Sequence, residues 1–195
     1  MIILSANKFP GRAMNYFSRA LTSALILLFS SSIHAKVDPP NYDFSLEALE
    51  VFMPGSTLRA ATKKHGKAQI IKKDSAVLVH KFYVAHIRYK FPVLVQSVSG
   101  KITDFYARLP AYFLHDIFHQ SIINRIGKQD IYKKVEEQAV YVWKGKKGLR
   151  HVYSGACTIT CFPIFYAVFP ENPEFKDFTP LLKSMAAQEV QNVSK

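Results

Sequence analysis

Cysteine is nearly absent from this chain: two among 195 residues, Cys157 and Cys161, so at most one disulfide can form. Acidic side chains are also scarce, 14 against 26 Lys and Arg, and residues 1–35 contain none at all. No long apolar run exists. The most hydrophobic stretch, Ala20 to Phe29, is about half the roughly 20 residues that a bilayer-spanning helix requires. Three motifs are missing as well: a Gly-x-Ser-x-Gly elbow, a phosphate loop and a dinucleotide-binding fingerprint. Their absence leaves no signal for a serine or cysteine nucleophile or for a nucleotide cofactor, and no cofactor is expected. Apolar content is not lacking: at 49%, with 13% aromatic, it excludes global disorder.

The acid-free start has a recognisable order. Lys8, Arg12 and Arg19 precede the short apolar core, and small residues follow through Ser30-Ser31-Ser32 to Ala35. A basic segment, a core of about ten apolar residues and a small residue at the cut describe a secretory signal peptide. Cleavage after Ala35 leaves 23 basic against 14 acidic side chains, a net charge of +9. Met14 begins a complete signal peptide by itself, so either methionine can serve as the start. No cysteine lies near the cut, and the expected product is soluble, without a lipid anchor, and periplasmic. An oxidising compartment favours pairing Cys157 with Cys161. On a straight strand their Cα atoms would lie about 13 Å apart, beyond the roughly 7 Å limit for a bridge. The bond therefore requires Thr158-Ile159-Thr160 to form a turn, a hairpin staple.

The exported part reads as if written twice. Gly66-Lys67-Ala68-Gln69-Ile70-Ile71-Lys72-Lys73 is answered by Gly127-Lys128-Gln129-Asp130-Ile131-Tyr132-Lys133-Lys134, and Phe105-Tyr106-Ala107-Arg108-Leu109-Pro110 by Phe165-Tyr166-Ala167-Val168-Phe169-Pro170. Conserved order and near-constant spacing indicate a tandem duplication of about 60 residues. Each unit starts with a helix closed by a glycine, Leu58 to His65 before Gly66 and a longer one with Asp116 as cap before Gly127. Alternating β-type segments follow. The expected fold is α+β: two tandem repeats, each a helix packed on a three- to four-stranded antiparallel sheet, plus a C-terminal helix capped by Thr179. The expected boundaries are 1–35 signal peptide, 36–110 first repeat, 111–170 second repeat and 171–195 loop and helix.

The segment Gly55-Ser56-Thr57-Leu58-Arg59-Ala60-Ala61-Thr62-Lys63-Lys64-His65-Gly66-Lys67-Ala68 resembles the helix signature of the SmpA/OmlA (BamE-like) envelope modules. Gly55, Thr57, Ala61, Gly66 and Ala68 occupy that pattern. The tandem arrangement is similar to the β-lactamase inhibitor protein fold. The resemblance implies a helical layer on an antiparallel sheet, used for protein–protein contact without catalysis.

The basic excess in an exported protein points to a protein partner or an anionic envelope component, not nucleic acid. The candidate contact residues are Tyr83, Arg88, Trp143, Lys144, Lys146, Lys147 and Arg150, on a sheet face with a basic rim. The competing chemistry is His115-Asp116-Ile117-Phe118-His119, in which two histidines one helical turn apart can share a zinc for a metal-dependent hydrolase. Asp116 there replaces the glutamate of the usual general base, and no third ligand is marked by spacing.

Overall fold

A computed structural model of the chain describes residues 42–86, 88–135, 137–156, 162–174 and 178–185. The signal-peptide reading of residues 1–35, the Cys157–Cys161 pair and the end of the expected C-terminal helix all lie outside these residues. Helix α1 (Asp43–Leu49) runs into a 3-10 turn (Glu50–Phe52). Leu46, Leu49 and Phe52, three apart, bury one stripe of it. Helix α2 (Leu58–His65) begins where Thr57 Oγ1 accepts the Ala60 N–H at 3.3 Å and stops at Gly66, whose φ of +85° few other residues tolerate. Helix α3 (His115–Ile126) stops in the same way at Gly127, φ +86°. Its N-cap is Leu114, with no side-chain cap; Asp116, expected there, sits inside the first turn.

The strands are β1 (Gln69–Asp74), β2 (Val77–His86), β3 (Tyr89–Val98), β4 (Lys101–Arg108), β5 (Ile131–Val135), β6 (Gln138–Lys146), β7 (Leu149–Ala156) and β8 (Phe162–Pro170). All belong to one antiparallel sheet in the order β1-β2-β3-β4-β8-β7-β6-β5. This corrects the expected fold class. The chain does not form two helix-on-sheet repeats with separate three- to four-stranded sheets; it forms a single eight-stranded sheet with a few short helices. The join is at β4 and β8, where Phe105 faces Val168, Tyr106 faces Ala167, Ala107 faces Tyr166 and Arg108 faces Phe165. The two near-identical aromatic phrases are thus each other's partners. Left apart, each would have ended a sheet with an apolar, hydrogen-bonding edge; paired, both edges disappear. The strands that remain at the borders, β1 and β5, each carry consecutive exposed lysines, Lys72-Lys73 and Lys133-Lys134.

One face of the sheet lies under the helices. Phe82, Phe91, Phe105, Trp143, Tyr153 and Tyr166 meet Leu49, Phe52, Phe113 and Phe118 there. On the opposite face Val79, Tyr106 and Ala167 pack against Leu181, with Leu182 and Met185 beside them. Residues 181–185 form a helical turn. Its start is held by Asp104 of β4, whose Oδ2 accepts the Leu181 N–H at 2.6 Å, while Gln96 Nε2 donates to Thr179 O at 3.4 Å. A carboxylate from a distant strand therefore does the capping expected of Thr179.

Burial pushes the Asp104 carboxyl up to about 7, partly offset by the Leu181 and Thr103 hydrogen bonds. A folded-state value above the unfolded 3.8 means the folded protein binds the extra proton. Its contribution to stability is full below pH 3.8 and is lost as pH rises towards 7, by up to about 1.4 kcal/mol per pH unit. Asp104→Asn keeps an acceptor without the charge. Denaturant titrations should find the variant more stable than the parent at pH 8, with the gap closing towards pH 4; a pH-independent difference would show that Asp104 does not titrate in this window.

Candidate functional site

Helix α3 projects His115, Phe118 and Ser121 inwards, and His119 lies half-buried on the same side. The two imidazoles stack with centroids 5.9 Å apart and planes 3° from parallel, so the expected shared face is present. That face meets tyrosines. His115 Nδ1 lies 2.8 Å from the Tyr153 hydroxyl and Nε2 lies 3.2 Å from the Tyr141 hydroxyl. A neutral imidazole has one donor and one acceptor nitrogen, so one tyrosine donates to it and the other accepts. Burial holds the pKa values of both histidines below the ordinary value, His119 further through the neighbouring His115. Burial raises the Tyr141 and Tyr153 hydroxyls. All four groups are therefore neutral near pH 7, and they tie α3 to β6 and β7.

Gly155 of β7 makes this approach possible. A Cβ at that position would lie 2.2 Å from His115 Nδ1 and 2.8 Å from Cε1, inside the imidazole. Both nitrogens of His115 are engaged by hydroxyls, and no group of three His, Cys, Asp or Glu among the described residues could hold a metal ion.

Three further histidines are bound in the same style, whereas His65 meets the Ala48 carbonyl at 2.8 Å. His80 meets Ser97 Oγ at 3.0 Å, His86 meets the Tyr112 hydroxyl at 3.1 Å, and His151 meets the Tyr166 hydroxyl at 2.7 Å. Desolvation lowers the pKa of each, that of His151 to about 4.

The basic candidates divide by position. Trp143 is fully buried, with its Nε1 donating to Gly127 O at 2.7 Å; it fastens the end of α3 to β6 and offers no surface to a partner. Lys144, Lys146 and Lys147 form the β6–β7 hairpin tip. Arg150, one strand position beyond it, is tied to Glu171, which also accepts the Gly145 N–H. Arg88 lies in the β2–β3 turn, at the opposite end of the strands. Tyr83 is half-exposed on β2, with Lys81 Nζ 5.2 Å from its ring centroid. The sheet thus gathers the hairpin lysines with Arg150, and Tyr83 with Arg88, but keeps the two groups at opposite ends.

Between them lies a feature that the candidate contact residues capture only in part. Strand register sets Lys72, Lys81, Lys90, Lys101, Arg108 and Lys133 on the face opposite the helices, together with Tyr83 and Arg150. Acids of the described strands on that face are Asp74, within 4.0 Å of Lys72, and the buried Asp104. Alternation within β2 already placed Lys81 beside Tyr83; what carried no local signal was the joining of all eight strands into one surface.

No helix among the described residues is long and apolar enough to cross a membrane. Neither a family model, nor a curated protein, nor a solved structure matches the chain.

Two measurements probe the histidine packing. Gly155→Ala should lower unfolding free energy by about 1–3 kcal/mol through overpacking against His115, whereas Gly148→Ala, with open space at its Cβ, should leave His115 in place. The shift of the His115 imidazole NMR signals separates the two variants. Histidines with lowered folded pKa values contribute stability that is present above the unfolded value of 6.5 and is lost as pH falls. The histidine contribution should therefore be lost on acidification from pH 6.5 towards 4, against the opposing gain from Asp104, and denaturant titrations should find that His151→Phe loses less stability than the parent over that range.

Proposed function

We propose that this chain is an exported, non-enzymatic binding protein of the cell envelope, which recognises a protein or an anionic envelope component through a sheet face with a basic rim. The observation that carries the reading is the segregation of charge: six lysines and arginines on the face opposite the helices, and the lysine-rich β6–β7 tip beside it. The exposed Tyr83 ring, flanked by Lys81, supplies an amphipathic contact within that positive field. The full engagement of His115 by two tyrosine hydroxyls weighs against the zinc-hydrolase reading of His115 and His119. The likeness of residues 55–68 to SmpA/OmlA modules agrees with an interaction role and belongs to the same proposal.

Two probes test it: vesicles containing anionic phospholipid, with purely zwitterionic vesicles as control, and immobilised polyglutamate as a stand-in for an acidic protein face. Binding to one of them at low ionic strength should fall steeply as the Debye length shrinks below about 8 Å above physiological salt. Charge reversal at Lys81 and Lys90 together should weaken it at least tenfold, since each cation near an anionic surface contributes about 1 kcal/mol. Failure to bind either probe, or binding indifferent to salt and to both substitutions, would overturn the reading.

A further inference from the structure

The end of the sheet that carries the β2–β3 turn shows apolar side chains that folding leaves uncovered. Tyr89 opens β3 and is 61% exposed, whereas Phe91 and Val93, on the same face of that strand, are buried under the helices. Tyr112 and Leu114, in the segment between β4 and α3, are 43% and 53% exposed. Exposed apolar side chains gathered from two segments mark a contact surface more often than isolated ones do.

The patch is held from beneath. The Tyr89 and Tyr112 rings lie 5.0 Å apart, centroid to centroid. Tyr112 is fixed by its hydroxyl, 3.1 Å from His86 Nδ1, and by an edge-on contact with the fully buried Phe113. Tyr42 stacks on Phe113 at 4.3 Å, and its hydroxyl accepts the Leu114 N–H at 3.4 Å. The patch is thus anchored to the core while its outer side stays in water, so a partner spends little free energy on ordering it.

The charge around it is of one sign. Arg88 and Lys90, both exposed, flank Tyr89, and Arg108 closes β4 at the same end, next to the Ala107 that faces Val93. Neither 83–92 nor 105–115 contains an acid. The next acid along the chain, Asp116, lies 4.0 Å from His115 Nε2, on the side of Tyr141 and Tyr153.

Tyrosine and leucine set among cations suit the boundary of a bilayer. A phenol ring has an apolar body and a polar tip, and favours the headgroup level, where Arg and Lys meet anionic lipid. An acidic polymer would engage the cations but leave the apolar patch in water.

We propose that this end of the sheet docks on an anionic lipid bilayer, with Tyr89, Tyr112 and Leu114 entering the headgroup boundary and Arg88 and Lys90 on the lipid phosphates. The proposal rests on the anionic-partner reading above and deepens it, naming a lipid surface and the part of the molecule that meets it.

Sedimentation of the full chain with vesicles of phosphatidylcholine and phosphatidylglycerol in equal parts measures the partition, with phosphatidylcholine alone as control. Binding to the mixed vesicles should be at least tenfold tighter than to the control. Tyr89→Ser with Leu114→Ser should weaken it at least tenfold, because affinity follows the apolar area withdrawn from water, and should leave any binding to polyglutamate unchanged. Serine is favoured at the N-cap position that Leu114 occupies, so if the double variant does not fold, Leu114→Ser decides alone. Ile70→Ser, at an exposed position of the border strand β1, should change nothing. Vesicle binding that is indifferent to Tyr89→Ser and Leu114→Ser, or that Ile70→Ser weakens equally, would overturn the proposal and leave contact through the sheet face in place. Absence of vesicle binding would overturn it too, and retained binding to polyglutamate would then leave the acidic-protein arm of the function standing.

Discussion

The antiparallel pairing of β4 with β8 is the contact on which the rest of the molecule depends. It places Ala107 and Ala167 at the middle of an eight-stranded sheet, where both are almost fully buried, and stacks Tyr106 on Phe165 with centroids 5.3 Å apart. On the helix side it sets Phe105 edge-on to Tyr166. Everything that gives the sheet two distinct faces follows: a continuous floor for three short helices, and a second face broad enough to collect cations from six strands. Helices of 7, 8 and 12 residues would be marginal in isolation and persist because that floor buries their apolar stripes.

Polarity is sorted across the sheet by two different means. Under the helices the polar groups are neutral: imidazoles matched to hydroxyls, His115 with Tyr153 and Tyr141, His151 with Tyr166. Each such pair satisfies a buried donor and acceptor without importing charge. On the other face charge is exposed and nearly all of one sign. Among the described strand residues the exceptions are Asp74, beside Lys72 on the border strand, and Asp104, a buried carboxyl that holds the first N–H of the C-terminal turn.

Local features were legible in the sequence because their causes are local. Thr57 and Gly66 bound α2, and Gly127 ends α3. The sheet's unity was not legible. The pairing of Phe105 with Val168 spans 63 residues, and two similar aromatic phrases suggest two similar sheets as readily as one shared seam. Trp143 misled for a related reason. A lone tryptophan beside a run of lysines reads as a surface anchor, but period-two alternation from the buried Tyr141 turns it inwards, onto the glycine that ends α3.

The lysine pairs on β1 and β5 bear on how the molecule behaves in company. A sheet closed at neither border can template its own growth, copy upon copy, with Ile70, Ile71 and Tyr132 exposed to help. Four cations on those borders make each approach of one copy to another a meeting of like charges, and that repulsion reaches only as far as the surrounding salt permits. Colloidal behaviour is thus written into the margins of the fold: dispersed in dilute electrolyte, and drawn edge to edge where counterions crowd.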